Sequence, residues 1–573
     1  MKLVQTSTAP KRPQGSRIGV YRTAFDKGID PGSLGLSAGR AQNWPVVYIL
    51  NNQTEAYVGQ TTSVATRMSQ HGANPEKQAF TTASVISCDE FNASVITDYE
   101  HRLIELMNAD GRFALTNKND GMTASNYFSK EEYGLMFEEL WEELRHMELA
   151  FGSIKELEES EVFKYSPYKS LTPDQQVALM SIMDEIDGSF MVDAAGELRF
   201  VGNEPLVVEG MPGTGKTVLA VFLLKALKDN ERFRGLNIKL LEPMTSLRET
   251  LRRSLKGVSN IEPDDIISAI DLDKARYGYR QGEKGCYDIV LVDEAHRLKR
   301  RQNLVSDKAY DDVNRVLGLP RDATELDWIL DQVRLPIFFY DPLQSIKPTD
   351  VEPELFAERL GDALARPIRL DSQMRVKGGK EYLEYVRAVL SGGDPEPRAF
   401  EGYGFVLHES FASFSEAFEH DLEQDDLTRM LAGYAWKWVS KGKADRSVTD
   451  IEIEGARLRW NVRQENWVGL GISDPDVARE VGCIHAIQGY DLTHAYVIVG
   501  GDLRLDPVTG GLVAERSGYF DANGKNATDD TELARYVRNI YYVLLTRGIE
   551  STHVYVCDPA LRAWMGKYFV ERA

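Results

Sequence analysis

Hydrophobic and polar positions change their rhythm several times along this chain, and each change marks an expected element. Pro45-Val46-Val47-Tyr48-Ile49-Leu50 is a β-prone apolar run, Asn51-Asn52 is turn material, and Ala56-Tyr57-Val58 is a second short strand. Together they predict a hairpin. A helix is expected from about Ser63, which places Arg67 and His71 one turn apart on one face. From Ser129 the period becomes helical: Tyr133, Met136, Phe137, Leu140, Trp141 and Leu144 recur on one side, and Ser129 with Glu132 has the spacing of a capping box. That stripe reads as a packing face. Leu171 to Gln175 enters another helix, with Thr172 as its cap. Beyond Leu206-Val207-Val208, apolar runs at 238–242, 288–292, 336–340 and 495–499 alternate with helical stretches, as a sheet flanked by helices demands. Two regions carry no sustained period. Residues 1–43 are expected to be a loosely ordered arm, and Asp506 to Asp530 a long exposed loop.

Candidate chemistry begins where one of these strands meets a helix. Gly210-Met211-Pro212-Gly213-Thr214-Gly215-Lys216-Thr217 lies between the apolar run at 206–208 and the helical Val218 to Leu224. This is the strand, loop, helix order of a phosphate-binding loop, in which Gly210, Gly213, Thr214 and Gly215 let backbone N–H groups face phosphate oxygens. Lys216 is expected to reach the β and γ phosphates and Thr217 to hold Mg²⁺. Asp288 to Val292 then runs as a buried strand into Asp293-Glu294, placing Asp293 on Mg²⁺ and Glu294 beside an attacking water. Gln344, after the strand ending at Tyr340, is expected to sense the γ-phosphate.

Composition narrows the setting. With 573 residues the chain is long enough for about three or four compact units. Its hydrophobic fraction of 43% is that of a globular protein. No apolar run reaches membrane-spanning length, and the first residues lead into a Ser, Thr and Pro stretch instead of a signal core, so a cytoplasmic protein without a membrane partner is expected. Cys88, Cys286, Cys483 and Cys557 are too scattered for a zinc site or a disulfide framework. The formal net charge of -21 argues against tight non-specific nucleic-acid binding.

Several stretches resemble known families. Val46-Val47-Tyr48 and Tyr57-Val58-Gly59, followed by Arg67, His71, the helix containing Glu100 and the Leu115-Thr116-Asn117 stretch, resemble the GIY-YIG nucleases. Valines replace the first Gly and Ile of that pattern, and Val58 replaces the Ile of the second tripeptide. The resemblance implies Mg²⁺-dependent phosphodiester cleavage, with Mn²⁺ as an alternative ion. In it Glu100 holds the metal, Arg67 neutralises developing charge, and Tyr48, Tyr57 or His71 is the base. Leu171 to Gln175, the phosphate loop, Pro243 to Arg248, Asp293-Glu294, Asp341 to Gln344, Leu370 to Arg375, Ile484 to Asp491 and Asn539 to Arg547 resemble, in order, the motifs of superfamily 1 helicases. Gln175 is then an adenine reader, Gln488 and Gly489 join the nucleotide-binding set, and Arg547 and Arg375 bring positive charge to the γ-phosphate. Leu431 to Trp436, Ile484 to Gly489 and Arg538 to Gly548 are similar to the Schlafen-type group of bacterial superfamily 1 ATPases.

The expected fold is α/β: an arm over 1–39, a small α+β GIY-YIG nuclease domain over 40–124, a helical connector over 125–165, and two RecA-like parallel-sheet motor domains over 166–368 and 369–573. The expected ligands are ATP, Mg²⁺ and nucleic acid, DNA before RNA. The expected function is an ATP-dependent translocase or helicase coupled to an endonuclease, in defence or repair. An ATP-gated nucleic-acid sensor without unwinding, motivated by the acidic balance and by the little room left for the inserted subdomains of processive motors, and an RNA-directed nuclease are the alternatives.

Overall fold

Val46–Asn51 is buried at every position, so it belongs in the middle of a sheet. In the computed structural model it has Glu55–Thr61 on one side and Thr82–Ser87 on the other, both antiparallel. Residues 18–573 are described except 27–28, 30–40, 118–126, 159, 169–170, 195, 203, 257, 273–286, 303, 305, 372–375, 444, 446, 463–466, 488–489, 522–523 and 526–527. The chain forms two compact units, one drawn from residues 1–179, 217–240 and 248–267, the other from 180–216, 241–247 and 268–573.

In the first unit the expected hairpin is part of a five-stranded sheet. One edge strand is Gly19–Ala24, paired antiparallel with Thr82–Ser87, so part of the stretch expected as an arm is ordered by sheet hydrogen bonds. At the other edge Ala114–Leu115 pairs parallel to the start of Glu55–Thr61. Helix Ala93–Asp110 is capped by the Asn92 side chain, which accepts from the backbone N–H groups of Ser94 and Val95. Its Tyr99 fixes the next helix, Lys130–His146, by donating to the Tyr133 carbonyl at 2.7 Å and meeting the Phe137 ring edge-on at 5.0 Å. The apolar stripe is therefore a packing face, with Phe137, Leu140, Trp141 and Leu144 fully covered. The expected capping box is not formed. Ser129 sits at φ 59°, a left-handed backbone that turns its hydroxyl away from the helix amides.

The second unit contains two parallel sheets. In one, Tyr287–Val292 pairs with Val333–Tyr340, which pairs with Leu206–Gly210, which pairs with Ile368–Leu370, all parallel. In the other, the order is Val481–Gly482, Thr428–Ala432, Leu492–Val499, Gly548–Val556, Gly404–His408 and Glu571–Arg572, again parallel throughout. Strands covered on both faces need continuous apolar runs, which is why 288–292, 336–340 and 495–499 were legible as such. The loop expected at 506–530 is shorter than its composition suggests. Leu503–Leu505 and Leu512–Ala514 form a small hairpin, and Tyr519 beyond it is buried. Among the described residues, no helix is long and apolar enough to cross a membrane.

Candidate functional site

The pairing of Val46–Asn51 with Glu55–Thr61 sets Tyr48 directly opposite Gly59. A Cβ at position 59 would lie 2.3 Å from the Tyr48 hydroxyl, so the glycine is what allows that phenol to point across the neighbouring strand. Helix Val64–Ala73 then brings Arg67 and His71 to the same hydroxyl. Tyr48 and the His71 Nε2 are 2.7 Å apart, and Arg67 Nε donates to the Tyr48 oxygen at 3.2 Å. The Tyr57 ring stands 5.4 Å from His71, edge-on. Asn117 closes the sheet edge: its Oδ1 accepts from the Val58 N–H and its Nδ2 donates to the Val58 carbonyl.

Electrostatics fix the protonation of this group. Burial, together with the positive charges of Arg67 and Lys77, lowers the His71 pKa to about 4, so the imidazole is neutral at physiological pH. In the tautomer that carries its proton on Nδ1, neutral His71 accepts from Tyr48 through Nε2, and the phenol oxygen accepts from Arg67. The Tyr48 pKa is raised, first by burial and then by Tyr57 and Glu100, against the opposing pull of Arg67. Tyr48, Tyr57, Arg67, His71 and Glu100 thus share one electrostatic neighbourhood. Lys77, whose ammonium lies 3.5 Å from the Tyr57 ring centre, was not anticipated. It sits on a short 3-10 turn with no periodic signal to connect it to the hairpin.

The phosphate loop is folded as its glycines require. Gly213 at φ 82° and Gly215 at φ 79° occupy backbone that other residues rarely adopt. A Cβ on Gly210 would meet the Thr214 hydroxyl at 2.5 Å, and that hydroxyl itself donates to the Met211 carbonyl. Lys216 is buried, its ammonium donating to the carbonyls of Gly210 (2.6 Å) and Met211 (3.1 Å), with an Asp341 oxygen at 3.7 Å. Thr217, next in sequence, lies in the first turn of helix Lys216–Asp229. Gln344 is buried and donates to Asp341 at 2.7 Å. Asp341 therefore joins the loop lysine to Gln344. Its place at a strand end pointed toward that role without specifying it.

At the end of Tyr287–Val292, Asp293 is fully buried and Glu294 takes φ 44°, a left-handed conformation costly for a side chain with a Cβ. A Glu294 carboxylate oxygen lies 2.9 Å from the His296 Nε2. Burial alone would raise the Glu294 pKa, but His296, Lys216 and Arg547 outweigh it and hold the carboxyl near 2. Lys216, Glu294 and Arg547, which come from three separate motifs, thereby act on one another. Arg547 is itself buried, just beyond helix Asp530–Leu545. Gln175 forms a reciprocal cap with Thr172: its Oε1 accepts from the Thr172 N–H, and its own N–H donates to the Thr172 hydroxyl. Arg375, Gln488 and Gly489 lie outside the described residues.

Among the described residues no group of three or more His, Cys, Asp or Glu could hold a metal by itself. The donor sets suit Mg²⁺ nonetheless, an ion commonly bound by one or two protein oxygens with water and substrate phosphates completing its shell. Glu100 at the N-terminal site, and the Thr217 hydroxyl and Asp293 carboxylate of the nucleotide motifs, are donors of that kind.

Comparison with known proteins places most of the second half of the chain. A family model described as Schlafen group 3, DNA/RNA helicase domain matches residues 203–558. An uncharacterized protein of Saccharomyces cerevisiae is 23% identical over 399 residues, 62% of this chain and 82% of that protein. Among solved structures, the Pif1 helicase from Candida albicans aligns over 69% of this chain and 96% of its own, with 11% identity and a TM-score of 0.26. A DEAD box protein from Methanococcus jannaschii aligns over 72% and 94%, with 13% identity and a TM-score of 0.25.

Proposed function

Because the chain belongs to the Schlafen group 3 DNA/RNA helicase domain family, we propose that it hydrolyses ATP to move along or remodel nucleic acid, and that its N-terminal domain is a GIY-YIG-type endonuclease acting on the same substrate. One observation carries the motor half: Lys216, His296 and Arg547 converge electrostatically on Glu294 and keep it ionised. An ionised Glu294 orients and deprotonates the attacking water, Lys216 holds the β and γ phosphates, and Arg547 meets the charge that develops on the transferred phosphoryl group. Thr217 and Asp293 would hold Mg²⁺ there, where its charge offsets that of the phosphate oxygens. Gln344, bonded to Asp341, relays phosphate occupancy to the rest of the lobe.

The nuclease half rests on the Tyr48, His71 and Arg67 cluster. Neutral His71 takes the Tyr48 proton as the phenol activates water, and Arg67 steadies the phenol oxygen and then the phosphorane. Glu100 would hold the divalent ion of this site. DNA is the proposed substrate, in defence against foreign DNA or in repair. The formal net charge of -21 supports one second reading, an ATP-gated sensor that grips nucleic acid without cutting it.

Cleavage of supercoiled plasmid with Mg²⁺, with and without ATP, tests the proposal when the intact chain is run beside Glu100→Ala and Lys216→Ala. ATP-dependent nicking lost in both variants supports a coupled motor and nuclease. Nicking lost only in Glu100→Ala makes the two activities separable. No nicking by an intact chain that still hydrolyses ATP removes the nuclease assignment on DNA and favours the sensor.

A further inference from the structure

Outside the sites above, helices Gly379–Leu390 and Asp530–Leu545 border a cleft of about 200 Å³. Arg387, Arg535 and Arg538 line it, with Asn539, Tyr542 and Leu343. Three guanidinium groups facing one small cleft is a marked concentration in a chain of net charge -21. Arg535 is partly neutralised by Glu354 at 3.3 Å, with Glu532 at 4.0 Å. Arg538 donates from Nε to the Ala534 carbonyl, which leaves the two terminal nitrogens of its fork for another acceptor. Among the described residues the Arg387 side chain has neither an ion pair nor a hydrogen bond. Asp341 and Glu384 act on Tyr542 against Arg387, but among the described residues lining the cleft itself three are arginines and none is an acid.

Tyr542 supplies an independent sign of a ligand. It is 3% exposed, and its hydroxyl is buried without a hydrogen-bond partner. Leaving such a donor unmade is costly, and Tyr542 is among the residues that line the cleft with the three arginines. A planar guanidinium fork matches a phosphate bidentately, and a phenol donor completes the shell of a phosphate oxygen.

We propose that this cleft binds a phosphate group, belonging either to a nucleic-acid strand or to a free nucleotide, at a position distinct from the phosphate loop. It is placed to influence hydrolysis, because the Asn539 amide donates to the Ser345 carbonyl at 2.7 Å, four residues after the Asp341 that faces Lys216. The proposal is independent of the nuclease reading.

The test uses the full chain and two probes, a fluorescent oligothymidylate and a fluorescent ATP analogue, with binding followed by anisotropy over a salt series. Arg387→Glu, at an exposed position, and Arg538→Gln are compared with the intact protein, and circular dichroism checks their folding. If the phosphate is a strand's, Arg387→Glu weakens oligothymidylate binding about tenfold and lowers the salt slope by about one, while nucleotide affinity holds. If it is a nucleotide's, the ATP analogue loses affinity and the oligonucleotide does not. Tyr542→Phe should weaken the same probe by less. Folded variants that bind both probes as the intact chain does would overturn the proposal.

Discussion

The Tyr48 site and the Glu294 site both set a titratable group among positive charges, and the outcome differs because buried His71 and half-buried Glu294 are different groups. At Glu294 burial favours the proton, and His296, Lys216 and Arg547 must overcome it to keep the carboxylate charged. At His71 burial and the nearby Arg67 and Lys77 act in the same direction and keep the imidazole neutral. Both groups are unprotonated at neutral pH, one as an anion and one as a neutral acceptor. Positive surroundings can therefore leave a group unprotonated whether its unprotonated form is charged or neutral. The Glu294 arrangement depends on its cations being present, whereas His71 stays neutral even if one of them is removed.

That contrast can be broken or sharpened by experiment. The largest effect is expected from Arg547→Ala, which removes both a counter-charge of Glu294 and the proposed transition-state partner. ATP hydrolysis should fall by about 10³- to 10⁵-fold, and plasmid nicking without ATP should be unchanged. Steady-state phosphate release measures the first and gel assays the second. Tyr48→Phe deletes the hydroxyl shared by His71 and Arg67, and nicking should drop by about 10²- to 10⁴-fold with ATPase rates intact. A loss of ATPase as well would show that the two sites are not separate.

The pH response should come next in size. His71 titrates near 6.5 when unfolded and near 4 when folded, so the unfolded chain takes up its proton first. The stability this provides is complete above about 6.5 and is lost as pH falls through about 4. Denaturant midpoints measured between these limits should decline with falling pH, less steeply in His71→Gln. The smallest effect is expected from Asn117→Ala. Its amide bonds both backbone groups of Val58, and leaving them unmade should cost about 1–3 kcal/mol in chemical denaturation.

The two sites were legible in the sequence to different degrees. The phosphate loop, the acidic pair after a buried strand and the hairpin tyrosines are set by local backbone demands: positive φ at Gly213 and Gly215, an apolar strand before Asp293, and a glycine opposite Tyr48. Such demands leave local marks. The Lys77 contact with Tyr57 and the Asp341 link from Lys216 to Gln344 depend on where separate segments meet in space, which no periodicity reports. Composition misled in two places for a related reason. Ser129 carries a capping residue in a conformation that prevents capping, and the polar stretch after Asp506 conceals a hairpin backed by buried Tyr519. In both, tertiary packing overrides a local preference.

The most direct test of an ATP-driven nucleic-acid motor is the rate of ATP hydrolysis by the full chain with and without single-stranded nucleic acid, beside Lys216→Ala. The expected result is hydrolysis stimulated by the strand and abolished in the variant. Equal rates with and without any nucleic acid would contradict a motor.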